Sequence, residues 1–192
     1  MTTHILRIGQ IIGDTKNGIW NANEAIPMTL QTAITIKALP QLDEWHYWLP
    51  VDQVAKTIVE ITQSNAPSGV ANIVNPNAFH WTKDLLPYLH AAGLEFSELK
   101  PQEWIQRLRL SNPDPVANPR VKLLEFFATN YSKEGPPRLP LRWQTEKAQR
   151  LSKSFADSCV IDQALVGKII GYLRSCWSVP SSKKLGVASV EH

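Results

Sequence analysis

The chain has 192 residues, 43% of them hydrophobic and 19% charged, and 20 basic against 17 acidic side chains leave a net charge of +3. This is an ordinary globular composition, long enough for one ample domain or two small ones. Two cysteines, Cys159 and Cys176, exclude a cystine framework and lack zinc-ligand spacing. No apolar run approaches the ~20 residues that cross a bilayer, Met1 opens no signal peptide, and the basic residues are scattered rather than gathered into a stripe. The composition therefore predicts a soluble, cytoplasmic protein with reduced thiols and neither a membrane nor a nucleic-acid partner.

Residues 4–12, rich in β-branched side chains and punctuated by Gly13-Asp14, predict a buried strand running into a loop. A buried parallel strand needs neighbours on both sides, and only three residues precede this one, which points to a missing upstream segment. Asn23 is the expected cap of a helix with Pro27 in its first turn, carried by Met28, Leu30, Ala33, Ile34 and Ala38. Trp45 to Leu49 read as a short aromatic strand, after which Asp52 is placed to cap a helix with apolar Val54, Ala55, Ile58, Val59 and Ile61 at helical spacing. A strand over 70–74, a turn at Asn75-Pro76-Asn77 and a helix from about Trp81 to Ala92 continue the alternation. Beyond Gly93, a short segment Leu94-Glu95-Phe96 gives way to helical patterns over 101–110, 116–130, 146–151 and 162–177. Residues 131–140 read as an extended loop and 178–192 as a tail.

The chemistry-bearing motifs are conspicuous by what is lacking. No two of the nine glycines lie closer than about four residues apart, so the glycine fingerprint that lets backbone N–H groups approach a pyrophosphate is absent. Walker A, H-E-x-x-H, G-x-S-x-G and Tyr-x-x-x-Lys are absent too. What stands out are aromatic and amide clusters beside turns: Gly18-Ile19-Trp20-Asn21, Trp45-His46-Tyr47-Trp48 and Phe79-His80-Trp81. Core packing accounts for most such indoles.

Leu6 to Asp14, Gly18 to Asn21, Trp48-Leu49-Pro50-Val51-Asp52-Gln53-Val54-Ala55 and Val74-Asn75-Pro76 occur in an order that resembles the later part of a thioester reductase domain. Ala92 to Phe96, Glu103-Trp104, the tract Asp114-Pro115-Val116-Ala117-Asn118-Pro119 with Lys122-Leu123-Leu124, and Lys147-Ala148 extend the resemblance to about Trp177. Such domains end nonribosomal peptide synthetases, fungal polyketide synthases and aminoadipate-reductase-like enzymes, and the tract from Asp114 looks fungal. The resemblance implies an α/β fold: late strands of a Rossmann-like extended short-chain dehydrogenase/reductase sheet over 1–92, a mostly helical substrate-binding subdomain over 93–177, and a flexible tail.

The resemblance also implies chemistry. NADPH would reduce an acyl or peptidyl thioester, carried on a phosphopantetheine arm, to an aldehyde or alcohol. The glycine fingerprint and the catalytic Thr/Ser, Tyr and Lys would precede Met1, so no catalytic residue is assigned here. NADPH belongs to the complete domain and none is expected to bind this chain alone. Gly9 and Gln10 would face the nicotinamide, and Gln10, Trp20, Asn21 and Trp48 the acyl or pantetheine channel, with Arg7 structural. His80 opens a helix where an acid or base is tempting, but the family uses an upstream tyrosine. The expected partners are an acyl or peptidyl carrier protein, the upstream Rossmann half and, through an exposed sheet edge, a possible second copy. The competing reading is a non-catalytic docking module for a carrier protein or neighbouring synthetase domain.

Overall fold

A computed structural model describes residues 2–111, 124–131 and 141–177. The predicted helix residues 116–123, most of the 131–140 loop and the 178–192 tail lie outside the described residues. β1 (His4–Ile8) runs parallel to β6 (Gly69–Ile73), in register from His4 opposite Gly69 to Ile8 opposite Ile73. β2 (Ile11–Ile12) pairs in parallel with β5 (Leu49–Pro50), and α3 (Val51–Gln63) crosses from β5 back to β6. β3 (Ala38–Pro40) lies parallel to β8 (Ser97–Leu99), while β4 (Trp45–His46) and β7 (Phe79–His80) are antiparallel.

The segment 4–12 is thus two strands rather than one, because β1 and β2 have different partners and Gly9-Gln10 bridges the change. Nor is β1 buried as predicted. Among the described residues it pairs along one edge only, and Ile5 is 57% and Ile8 40% exposed. The aromatic run 45–49 is likewise divided, with β4 and β5 bonded to different strands. Both predicted caps fail. Glu24, not Asn23, precedes α1 (Ala25–Leu30), which α2 (Thr32–Thr35) follows, and Pro50 precedes α3. The Asp52 carboxylate instead accepts bonds from the Thr15 amide at 3.0 Å and its hydroxyl at 2.7 Å. Ala38, expected in the helix, starts β3 after Lys37 turns the chain at φ 51°.

Three apolar clusters fill the spaces between these elements. Leu49, Val54, Ile61, Ala71 and Ile73 meet Ala148 of α7 (Glu146–Leu151) and Phe155 of α8 (Lys153–Ala156). There the Glu60 carboxylate of α3 accepts bonds from the Ser152 hydroxyl and the Ser154 amide, and these bonds hold its pKa below the usual carboxylate value. A second cluster joins Ile36 and Ala38 to Trp104, Ile105 and Leu108 of α5 (Pro101–Arg109) and to Phe127 and Ala128 of α6 (Leu124–Tyr131). The largest cluster packs Trp20, Leu30 and Trp48 with α4 (Leu86–Ala91) and α9 (Gln163–Trp177). The predicted helix over 81–92 begins with a π-helical turn, Trp81–Leu85, whose Trp81 indole donates to the Pro40 carbonyl at 2.8 Å.

The loop after β2 lies directly against α9. Gly18 has a φ of +69°, and a Cβ built there would sit 2.5 Å from the Ile169 nitrogen and the Lys168 carbonyl carbon. Left-handed strain and an immovable helix backbone both oppose any side chain at this position. Gly167 and Gly171, in α9 itself, have open space where a Cβ would stand. Gly18→Ala is therefore expected to lower the urea midpoint by the equivalent of about 2 kcal/mol or more, whereas Gly167→Ala raises it by up to ~1 kcal/mol through helix propensity. Equal effects of the two substitutions would show that the loop does not dock on α9.

Candidate functional site

Where β1 and β6 end, Gly9 still donates its amide to the Ile73 carbonyl at 2.9 Å. A Cβ on Gly9 would come within 3.3 Å of Val74 Cγ2, closer than ordinary van der Waals contact. Gln10 is exposed: its carbonyl accepts from the Leu49 amide at 2.9 Å, and its side-chain nitrogen turns back to the Ile11 carbonyl at 2.7 Å. In open α/β sheets, ligands occupy the crevice beyond the carboxyl ends of parallel strands. Here that place is a cleft of about 510 Å³, floored by Arg7, Ile8, Gly9, Gln10 and Val74. Trp45, His46, Tyr47 and Trp48 line it as an aromatic wall, with Ile26 of α1 and, from far along the chain, Trp143.

Of the residues singled out from sequence, the structure brings Gly9, Gln10 and Trp48 together in this cleft. Trp20 and Asn21 lie elsewhere, in a second depression of about 500 Å³ shared with Ile19, Tyr172 and Cys176. The buried indoles of Trp20 and Trp48 meet edge to face, 5.8 Å between centroids, and so join the walls of the two hollows. Trp20 Nε1 donates to Glu24 Oε2 at 2.9 Å, and Asn21 Oδ1 accepts from the Asn23 amide at 3.1 Å, forming a turn.

The loop carrying Trp20 is fixed before any ligand arrives. The Asp14 carboxylate accepts from the amides of Asn17 at 2.7 Å, Ile19 at 2.8 Å and Lys16 at 3.0 Å, and these bonds, Asn17's foremost, lower its pKa. Lys168 Nζ reaches the Thr15 carbonyl at 2.8 Å. Trp48 is held from behind by Asn75, which is 1% exposed. Its Nδ2 donates to the Trp48 carbonyl at 2.8 Å and to the Cys159 carbonyl at 3.1 Å, while its Oδ1 accepts from the Asn77 amide at 2.9 Å.

The two central histidines differ. In His80, Nδ1 accepts from the Lys83 amide at 3.2 Å and Nε2 lies 2.9 Å from Asp43 Oδ1, so both ring nitrogens are committed to structure. His46 Nε2 has no hydrogen-bond partner among the described residues, and the Glu44 carboxylate, at 3.9 Å, lies beyond reach. Burial beside Trp48, Phe79 and Trp81, with His80 nearby, pushes its pKa down to about 4. His46 is thus a neutral, largely apolar part of the wall at neutral pH. Burial also raises the Tyr47 phenol above its usual value, and its hydroxyl donates to the Leu141 carbonyl at 2.8 Å.

Sequence reasoning missed Trp45, His46, Tyr47 and Trp143 as site residues and read Arg7 as structural. The aromatic run 45–48 was visible, but two-residue strands give no period to show which of its rings face a cleft. Trp143 has no local signal at all. It enters the site because Tyr47 bonds the Leu141 carbonyl and Asn72 Nδ2 bonds the Gln144 carbonyl at 3.0 Å.

No family model matches the chain. It is 32% identical over 167 residues to a citrinin polyketide synthase of Monascus ruber, and 33% identical over 175 residues to the 3-methylorcinaldehyde synthase of Talaromyces stipitatus. These alignments cover 86% and 88% of the chain but only 6% of each synthase. A non-ribosomal peptide synthetase of Acremonium egyptiacum is 34% identical over 123 residues, covering 64% of the chain and 11% of that protein. The fold is shared with the terminal R domain of the myxalamid PKS-NRPS pathway, at a TM-score of 0.74 and 22% identity, over 91% of this chain and 45% of that one. The PhqB reductase domain from Penicillium fellutanum superposes with a TM-score of 0.64 at 19% identity, over 92% of this chain and 48% of that one. The mixed α/β architecture is thus shared with these two reductase domains.

The depressed pKa of His46 makes an acid-sensitive wall. Unfolded, the imidazole takes a proton near its ordinary 6.5; folded, it resists until about 4. Stability from this residue is complete above pH 6.5 and is progressively lost on acidification toward 4, by up to ~3 kcal/mol. His46→Phe is expected to flatten the fall of Tm between pH 6.5 and 4, and parallel profiles for variant and parent would refute the assignment.

Proposed function

We propose, from the homology of the chain to a short part of fungal polyketide synthases and nonribosomal peptide synthetases and from the fold it shares with terminal reductase domains, that it is the substrate-side part of an NADPH-dependent thioester reductase. The observation that carries this reading is the aromatic cleft at the carboxyl ends of β1 and β6, where Gly9, Gln10 and Trp48 meet. The substrate is an acyl or peptidyl thioester on the phosphopantetheine arm of a carrier protein, released as aldehyde or alcohol. Carriage on an arm suits a cleft that opens to the surface rather than an enclosed cavity.

The residues present fit one end of the cofactor. Gly9 keeps side-chain bulk away from the strand end, and the exposed Gln10 side chain, its nitrogen bonded to the Ile11 carbonyl, can offer its oxygen to a carboxamide. They do not make a dinucleotide site, because a pyrophosphate needs a glycine-rich turn at a helix N-terminus and the sequence has none. When bound, NADPH supplies the hydride; this chain's residues orient the thioester and exclude water from it. Orientation of that kind can account for a large share of a rate.

In this reading, 1–92 supplies the late Rossmann-like elements, 93–177 the substrate-side subdomain and 178–192 the tail. The edge of β1, unpaired among the described residues and with Ile5 and Ile8 exposed, is where a preceding strand of the same sheet belongs. A second copy of the chain pairing along β1 is the alternative occupant. Both cysteines are free, in keeping with a reducing, cytoplasmic setting.

Calorimetric titration of the purified chain with NADPH, then with an acyl-pantetheine thioester, tests the proposal. Thioester binding is expected without cofactor oxidation, and NADPH oxidation, read by absorbance, only once the preceding half of the reductase fold is supplied. Turnover by the chain alone, or no affinity for the thioester, would overturn it.

A further inference from the structure

Resting on the thioester reading, we propose that Trp143 is a specificity-determining residue that covers the acyl end of the substrate. The residue is 44% exposed and lines the cleft, and the strap that carries it is tied down on both sides. Tyr47 bonds the Leu141 carbonyl from the aromatic wall, and Asn72 of β6 bonds the Gln144 carbonyl from the strand floor. A large, exposed aromatic ring lining the cleft, on a strap held by one hydrogen bond from the wall residue Tyr47 and another from Asn72 of β6, is a preorganised contact surface.

The chemistry of the cleft selects the acyl end over the arm. A pantetheine arm carries two amides that need hydrogen-bond partners. The polar groups that border the cleft are largely engaged within the protein: the Gly9 amide with Ile73, the Trp48 carbonyl with Asn75, the Tyr47 hydroxyl with Leu141 and the Gln10 amide nitrogen with Ile11. His46, neutral at pH 7, has its Nε2 buried. What remains to touch a ligand, apart from the Arg7 guanidinium and the Gln10 side-chain oxygen at the strand ends, is indole, imidazole and aliphatic surface, suited to a flat apolar acyl group packed against the Trp143 ring.

Calorimetry with benzoyl-pantetheine and with pantetheine alone provides the test, on the whole chain. Trp143→Ala is expected to raise the Kd for benzoyl-pantetheine about ten-fold and Trp143→Phe by less, with the Kd for pantetheine unchanged in both. Asn72→Ala, which keeps the indole but cuts one tie, should give part of the same selective loss. Circular dichroism confirms that each variant folds, since Trp143 belongs to none of the three apolar clusters. An unchanged Kd for Trp143→Ala, or an equal loss for pantetheine and its benzoyl thioester, would overturn the assignment of Trp143 while leaving the thioester reading intact. Failure of the parent chain to bind benzoyl-pantetheine would instead overturn the thioester reading, and this inference with it.

Discussion

A single buried carboxamide holds together the parts on which everything else rests. Asn75 follows β6, yet its side chain bonds the carbonyl that precedes β5 and a carbonyl in the segment leading to α9. Each of these carbonyls, left unpaired away from water, would cost about 1–3 kcal/mol, so the three segments are fixed relative to one another. Trp48 is thereby set between Trp20, Phe79 and Trp81, with centroid distances of 5.8, 4.8 and 6.4 Å. Without that fixed point the Trp48 indole loses its anchor in the wall of the cleft.

The same economy recurs around the cleft, where side-chain polar groups are spent on backbone. Asp14 binds three amides of its own loop, Asp52 anchors Thr15 from the start of α3, and Asn72 and Tyr47 secure the strap. Residue types that look catalytic in a sequence, aspartates and a histidine among them, here set geometry. The consequence is a rigid apolar surface with its hydrogen-bonding capacity turned inward, which suits positioning better than proton transfer.

How much of this could be read in the sequence depended on whether the signal was periodic or pairwise. α3 and α9 were legible because their apolar residues recur at helical spacing over several turns. β6 was legible from its β-branched run and the Asn75-Pro76 turn that closes it. The division of 4–12 was not, since continuous apolar character says nothing about which strand lies alongside, and a change of partner at Gly9-Gln10 leaves no trace in composition. Asn23 and Asp52 matched the preference for caps, but Asp52 found a stronger use 37 residues away in Thr15. Of the residues singled out from sequence, Gly9, Gln10 and Trp48 line one cleft. Trp20 and Asn21 did not join them, because Trp20 is turned into the core behind Trp48.

The pairing of the strands also has a kinetic meaning. β1 meets β6, and β3 meets β8, only after long stretches of intervening chain have been gathered in, so the entropy of loop closure precedes any gain from the ladders. α3 and α9, whose contacts within the helix are local, can form well before. During folding, the apolar flank of β1 therefore remains uncovered until α3 has brought β6 alongside. That interval, rather than the stability of the finished structure, is when this chain is most open to sticking to its neighbours on or off the ribosome.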